Sequence, residues 1–207
     1  SFGFTCSLWL PITTGASCSF VPNPLDGKLV GKSIRENNST ILFAPPTFLL
    51  SYLRRCKKED FTNIREVIVG AEKLKKKMAE AFEKKFGIRL LEGYGMTELS
   101  PVVSLNLPDV DIGGVYQPGS KPGTVGHPLP GVAAKVIDPE TGEDLETDTP
   151  GLLMVKGPNV MAGYLDRPEE TVEKFVDGWY NTGDIASVDA EGFITITDRI
   201  SRFRKIR

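Results

Sequence analysis

The sequence predicts an α/β fold that gives way to a mostly β remainder. Short apolar runs at 40–44, 64–69 and 88–91 alternate with helical patterns in the first half. Two of these runs end in glycine-bearing loops, Gly70-Ala-Glu72 and Gly93-Tyr-Gly-Met-Thr-Glu98. Beyond residue 131, strand-like runs are separated by turn chemistry such as Asp138-Pro-Glu-Thr-Gly142 and Asp189-Ala-Glu-Gly192. Because the two loops close neighbouring strands of a βαβ unit, they are predicted to open on the same sheet edge. Open α/β sheets bind ligands at that edge.

Residues 2–16 are apolar and carry Pro11 and Gly15, which predicts a short helix followed by a strand over 17–21. Pro22, Pro24 and Gly27 punctuate a loop. A helix is predicted over 29–37, with Leu29, Ile34 and Val30 facing inward and Asn37-Asn38 closing it. The strand over 40–44 ends in Pro45-Pro46, and proline suits the first turn of the helix predicted over 48–55. After the strand over 64–69, a helix over 73–86 places Leu74, Met78, Phe82 and Phe86 on one stripe. That stripe is read as core. Glu80 and Lys84 on the same helix are spaced for a modest pair, worth about 0.2–0.5 kcal/mol where it forms. Gly87 ends the helix, and the strand over 88–91 feeds the second loop.

That loop closes the stretch Arg89-Leu-Leu-Glu-Gly-Tyr-Gly-Met-Thr-Glu98. Gly93 and Gly95 permit backbone angles closed to other residues, so the strand is predicted to stop abruptly there. Past the stop come a ring, a hydroxyl and a carboxylate. Tyr94 can cover a flat ligand, Thr97 can exchange a hydrogen bond, and Glu98 can hold a hard cation such as Mg²⁺. A tight surface turn with a solvated Glu98 accounts for the same residues, and both readings stand at this point.

Residues 101–122 have no period and are rich in Pro, Gly and Asp, so they read as a connection. Residues 123–131 keep that density but match neither G-x-x-x-x-G-K-[ST] nor G-x-G-x-x-G, and they read as a domain-joining loop. Strands follow over 132–137 and 152–155. Asp166, with Pro168 close behind, is predicted to cap a helix running to about residue 175. A hairpin pairs 185–188 with 193–197. Asp184, after Thr182-Gly183, either aims two oxygens at adjacent hydroxyls such as those of a ribose or caps its own turn.

The balance of 25 basic and 27 acidic residues leaves a formal charge of −2, with no nucleic-acid footprint. No window approaches the ~20 continuous apolar residues of a spanning helix. Cys6, Cys18 and Cys56 are odd in number and not metal-spaced, which fits a reducing compartment and argues against a disulfide scaffold. His127 is the sole histidine, so zinc sites and histidine-based triads find little support. The chain opens on Ser1 and closes on a basic run from Arg202 to Arg207, and it is expected to be a piece of a longer protein.

Gly93-Tyr-Gly-Met-Thr-Glu98, Tyr180-Asn-Thr-Gly-Asp184 and Asp198-Arg199, in this order, resemble the adenylate-forming acyl-CoA synthetases and luciferases. Softer strings are similar to the bacterial acyl-[acyl-carrier-protein] synthetase / 2-acylglycerophosphoethanolamine acyltransferase branch. They are Ser1-Phe-Gly-Phe-Thr5, Gly70-Ala-Glu-Lys-Leu74, Leu91-Glu-Gly-Tyr-Gly95, Lys156-Gly-Pro-Asn159 and Arg202-Phe-Arg-Lys-Ile206. The resemblance implies a partial Rossmann-like layered lobe over 1–121, a small distorted β-barrel lobe over 122–198, and the start of a hinge over 199–207. It implies that the intact protein activates a fatty acid with ATP and Mg²⁺ as acyl-adenylate. The acyl group then passes to an acyl carrier protein or to coenzyme A, and on the carrier-protein branch it feeds lysophospholipid acylation at the inner face of a bacterial cytoplasmic membrane.

By the same resemblance, Gly70, Ala71 and Glu72 line the adenine and acyl pocket, and Glu92, Gly93 and Tyr94 flank the adenine. Thr97 contacts the α-phosphate and Glu98 holds Mg²⁺. Asp184 clamps the ribose and is expected to face Tyr94; Ile196 packs near the adenine, and Arg199 binds the ribose or phosphate side. Ser201 falls at the hinge, where the family more often has Asp or Lys. The family's Gly- and Ser/Thr-rich phosphate loop and its C-terminal lysine domain have no counterpart here, so this chain alone is expected to be inactive. A fatty acyl-CoA or aryl-CoA synthetase is the alternative within the family, and a catalytically silent scaffold is the alternative outside it. Retention of Thr97, Glu98, Asp184 and Arg199 together argues against a scaffold. A substrate carboxylate attacking a phosphoryl centre needs no protein nucleophile, so positioning and charge neutralisation suffice.

Overall fold

The computed structural model describes residues 1–199, and the chain divides into one unit over Ser1–Gly93 and a second from Tyr94 onward. The first unit begins with α1 (Phe2–Phe4), a π-helical stretch (Thr5–Trp9) and α2 (Leu10–Thr14), ended by Gly15 at φ 69°. The strand expected over 17–21 does not form. Its backbone enters no ladder among the described residues, and an extended run without a neighbour gains nothing over hydration. Phe20 accordingly stays 67% exposed.

Helix α3 (Gly27–Glu36) starts two residues earlier than predicted, because Asp26 caps it by accepting from the backbone N–H groups of Lys28 and Leu29. Val30 and Ile34, one turn apart, are buried, whereas Leu29 points outward, contrary to expectation. Strands β1 (Ile41–Ala44), β2 (Glu66–Val69) and β3 (Leu90–Gly95) run parallel, with Ala44 opposite Val69 and Val69 opposite Glu92. Helix α4 (Pro46–Arg55) begins on its proline. Gly27 lets α3 approach α4 closely, since a Cβ there would sit 2.8 Å from the Ser51 carbonyl oxygen.

Helix α5 (Lys76–Phe86) starts three residues later than predicted, leaving Leu74 buried but outside the helix, and ends at Gly87 with φ 76°. The Phe82 and Phe86 stripe is core, as read from its spacing. Phe61 stacks on Phe86 at 4.2 Å and meets Phe82 edge-on at 5.7 Å. Full burial of a side chain such as Phe82 contributes roughly 1.5–3 kcal/mol.

The predicted stop at Gly93 is also corrected: β3 continues to Gly95, and neither glycine takes a positive φ. Gly95 is required by space, because a Cβ there would lie 1.8 Å from the Pro101 carbonyl oxygen, which accepts the Met96 N–H at 2.8 Å.

The second unit is β-rich. Residues 101–131, read from sequence as connection and joining loop, contain β4 (Val102–Leu105), β5 (Val110–Ile112), β6 (Val115–Gln117) and β7 (His127–Pro128). Gly113 and Gly114, at φ 63° and 84°, form the two-residue turn between β5 and β6. Strand β7 pairs antiparallel with β4. Gly126, at φ 81°, lies so close to Leu105 that a Cβ would overlap its backbone.

Next come β8 (Ala133–Ile137), β9 (Gly151–Lys156), α6 (Pro168–Val172), β10 (Phe175–Val176), β11 (Trp179–Val188) and β12 (Ile194–Arg199). Asp166 does not cap α6. It sits at φ 56°, Arg167 occupies the cap position, and the helix stops short because 175–176 pair as a strand. Asp177 and Gly178, at φ 50° and 78°, make a second two-residue hairpin turn, and β11 begins directly after it at Trp179. Strand β11 is central in an antiparallel, half-barrel sheet, pairing with β9, β10 and β12, and β8 flanks β9. Leu99, Val103, Leu153, Val155, Tyr180 and Ile194 fill this unit's core.

The hinge expected over 199–207, with Ser201 and the basic residues of 202–207, lies outside the described residues after Arg199. Among those described, no helix is long and apolar enough to cross a membrane.

Candidate functional site

In the first unit, the ends of β2 and β3 bring Gly70, Ala71, Glu72, Glu92 and Gly93 to one sheet edge, as the βαβ reading required. Ala71 adopts φ 69°, a left-handed conformation that costs a residue with a Cβ about 1–2 kcal/mol and that gathers at functional sites. The loop is pinned by Glu72, whose Oε2 accepts from the Thr47 backbone N–H at 3.2 Å and the Thr47 hydroxyl at 2.6 Å, in the first turn of α4. Glu92 lies opposite Val69. Burial pushes its carboxyl up to about 7, against the smaller opposing pull of the Leu74 backbone N–H and the Lys73 charge.

In the second unit, the pairing of β11 with β9 is interrupted between Asn181 and Ile185. The Asn-Thr-Gly-Asp string explains this bulge residue by residue. Asn181 Oδ1 accepts from the Gly183 N–H at 2.9 Å, and Gly183 sits at φ 72°. The Thr182 hydroxyl donates to the Leu153 carbonyl at 2.8 Å and accepts from the Asp184 N–H at 3.1 Å. Bulges re-aim side chains, and here the turn is held by Asn181 and Thr182 while the carboxylate of Asp184 is turned inward, 2% exposed. The Tyr94 phenol donates to Asp184 Oδ2 at 2.6 Å, so the two residues meet as expected.

Thr97 and Glu98 lie on a single 3-10 turn over Thr97–Leu99. Thr97 is exposed; Glu98 is half-buried, and its Oε1 accepts from the Tyr164 phenol at 2.8 Å, so it is not a freely solvated glutamate. Tyr180, 1% exposed, donates its phenol in turn to that of Tyr164. Burial first, and then donation to an acceptor, raises both phenols. Ile196 packs with Tyr94 and Met96 against the second core. The backbone of Arg199 lies opposite Asp184 across β11 and β12.

Among the described residues, no three His, Cys, Asp or Glu side chains cluster around a point that could hold a metal ion. A divalent cation at Glu98 would therefore share its shell with substrate oxygens, a mode that suits Mg²⁺, which is commonly bound through one or two carboxylates plus phosphates. Sequence reasoning did not single out Tyr164, and it read Tyr180 only as part of a family string, with no role for its phenol. The two tyrosines stand 66 and more residues from Glu98, and no local pattern marks their phenols as partners of a carboxylate.

A family profile described as AMP-binding enzyme matches residues 1–165. The chain belongs to the AMP-binding enzyme family. Relatives include the long-chain-fatty-acid–CoA ligase of Escherichia coli O6:H1, 36% identical over 200 residues, covering 96% of this chain and 34% of that protein. The corresponding ligase of Bacillus subtilis is 35% identical over 202 residues, again covering 96% of this chain and 34% of that protein. The 4-coumarate–CoA ligase 2 of rice is 31% identical over 209 residues, covering the whole of this chain and 36% of that protein.

This AMP-binding-family chain thus spans about a third of the length of the curated relatives it matches. Among solved structures, ATP-bound MatB from Rhodopseudomonas palustris matches at TM-score 0.80 and 35% identity, covering 92% of this chain and 36% of that one. An anthranilate CoA ligase in complex with anthranoyl-AMP matches at TM-score 0.82 and 26% identity, covering 96% of this chain and 37% of that one. The mixed α/β architecture predicted from sequence is that of the adenylate-forming enzymes.

Proposed function

We propose that the intact protein is an AMP-forming ligase that activates a fatty acid with ATP and passes the acyl group to coenzyme A. The observation that carries this reading is the similarity, over nearly the whole chain, to bacterial long-chain-fatty-acid–CoA ligases. The contact between Tyr94 and the bulge residue Asp184 supports the nucleotide half of the proposal. In the first step a carboxylate oxygen of the fatty acid bonds to the α-phosphorus of ATP as pyrophosphate leaves. In the second step the thiol sulfur attacks the acyl carbon and AMP leaves.

Asp184 is assigned the ribose hydroxyls, with Tyr94 orienting its carboxylate and presenting a ring to the base. Thr97 is assigned the α-phosphate and Glu98 the cation. Mg²⁺ held there would neutralise charge on the phosphate oxygens. By resemblance, the adenine- and acyl-lining roles fall to Gly70, Ala71, Glu72, Glu92, Gly93 and Ile196, and a ribose or phosphate contact to Arg199.

The relatives favour coenzyme A over the carrier-protein acceptor implied by the softer strings. The proposed setting is the bacterial cytoplasm. Lysophospholipid acylation at the membrane face would follow only from a carrier-protein product. The test is to supply the intact protein with ATP, Mg²⁺ and palmitate, and to offer coenzyme A and acyl carrier protein as competing thiols. Palmitoyl-CoA is the expected product. Exclusive acylation of the carrier protein would overturn the choice of acceptor, and the absence of fatty-acid-dependent pyrophosphate release would overturn the ligase reading itself.

A further inference from the structure

Four hydrogen bonds tie the turn that carries Glu98, and the start of β4 behind it, to the segment over 159–164. Asn159 Nδ2 donates to the carbonyls of Leu99 at 3.0 Å and Val102 at 3.1 Å. The Met161 N–H donates to the Glu98 carbonyl at 2.8 Å, and the Tyr164 phenol donates to Glu98 Oε1 at 2.8 Å. Tyr164 is itself fixed at both ends. Its N–H donates to Thr171 Oγ1 at 2.9 Å, and its phenol oxygen accepts from the buried Tyr180. The backbone of the turn and one oxygen of the carboxylate are therefore both held before any ligand arrives.

We propose that Tyr164, backed by Tyr180, is a positioning residue that fixes the Glu98 carboxylate through Oε1 and so presents Oε2 to the cation of the bound nucleotide. This rests on the reading of Glu98 as the cation-holding residue. The physical reason is that a glutamate has three rotatable side-chain bonds. A neutral phenol holds one oxygen in place without neutralising the charge that the cation needs, whereas a lysine or arginine there would compete with it. Tyr180 adds to this because a phenol that accepts a hydrogen bond becomes a better donor, and the chain of the two phenols strengthens the bond to Glu98.

The experiment uses the intact protein with Mn²⁺ as a spin probe and a non-hydrolysable ATP analogue, and it reads Mn²⁺ binding to the protein–analogue complex by electron paramagnetic resonance. Tyr164→Phe is expected to weaken Mn²⁺ binding by about tenfold, the scale on which groups that orient metal ligands act, with analogue affinity in the absence of metal unchanged. In a Glu98→Gln background the same change is expected to add nothing, a coupling that a purely structural tyrosine would not show. If Glu98→Gln weakens Mn²⁺ binding but Tyr164→Phe does not, the positioning role is overturned and the reading of Glu98 survives. If Glu98→Gln binds Mn²⁺ like the unaltered protein, the reading of Glu98 fails and takes the positioning role with it. Should Tyr164→Phe fail to fold, Tyr180→Phe carries the test, with a loss of roughly threefold expected and unaltered binding overturning the proposal.

Discussion

Glu92→Gln is expected to stabilise the protein most at neutral and alkaline pH, by less as pH falls from about 7 to 4.5, and not at all below that. In the folded chain burial lifts the Glu92 carboxyl from 4.5 to about 7. The native state therefore holds the proton more tightly than the unfolded chain. Below pH 4.5 both states are protonated and Glu92 carries no penalty. Between 4.5 and 7 stability falls as pH rises, and above 7 the full cost of the buried charge is present.

At 1.36 kcal/mol per pH unit, the interval from 4.5 to about 7 corresponds to roughly 3 kcal/mol. Glu92 is only half-buried, so solvent screening reduces the expected gain to about 1–2 kcal/mol. The amide oxygen of glutamine can still accept the Leu74 N–H, so the substitution removes the charge and keeps the contact. Urea unfolding of both proteins at pH 5, 6, 7 and 8 reads the difference directly, and a comparison between the two cancels every other titrating group. A stability gap between the unaltered protein and the Glu92→Gln variant that does not grow with pH would refute the argument from burial.

Gly95→Ala is expected to cost about 3 kcal/mol or more, because its Cβ would drive into the Pro101 carbonyl. Gly87→Ala, at φ 76° but facing open space, should cost only about 1 kcal/mol by the same unfolding assay. Tyr94→Phe removes a donor to the buried Asp184 carboxylate and should cost about 1–3 kcal/mol at pH 7, while Asp184→Asn in the same background should recover part of that loss. Asn159→Ala deletes two hydrogen bonds to the Leu99 and Val102 carbonyls and should lower stability by about 1–3 kcal/mol, with faster amide exchange at Met96 and Leu99 as the local readout.

Whatever is written in adjacent residues could be read from the sequence. Pro46 and the spacing of Phe82 and Phe86 announced α4 and α5, since proline placement and a 3.6-residue stripe are local signals. The apolar runs announced β1, β2 and the start of β3, and the strings around Glu98 and Asp184 announced the family. Strands of two or three residues such as β5, β6, β7 and β10 carry no period to read, although Gly113-Gly114 and Asp177-Gly178 were turn signals passed over. The packing of the folded chain is what shows that Gly95 is demanded by the Pro101 carbonyl rather than by its own backbone angle, that the Asn181–Gly183 bulge turns Asp184 onto Tyr94, and that Tyr164 grips Glu98. Each of these is a contact whose necessity lies in the partner, and in the last two the partners stand 90 and 66 residues apart, so no window of sequence contains both halves of the reason.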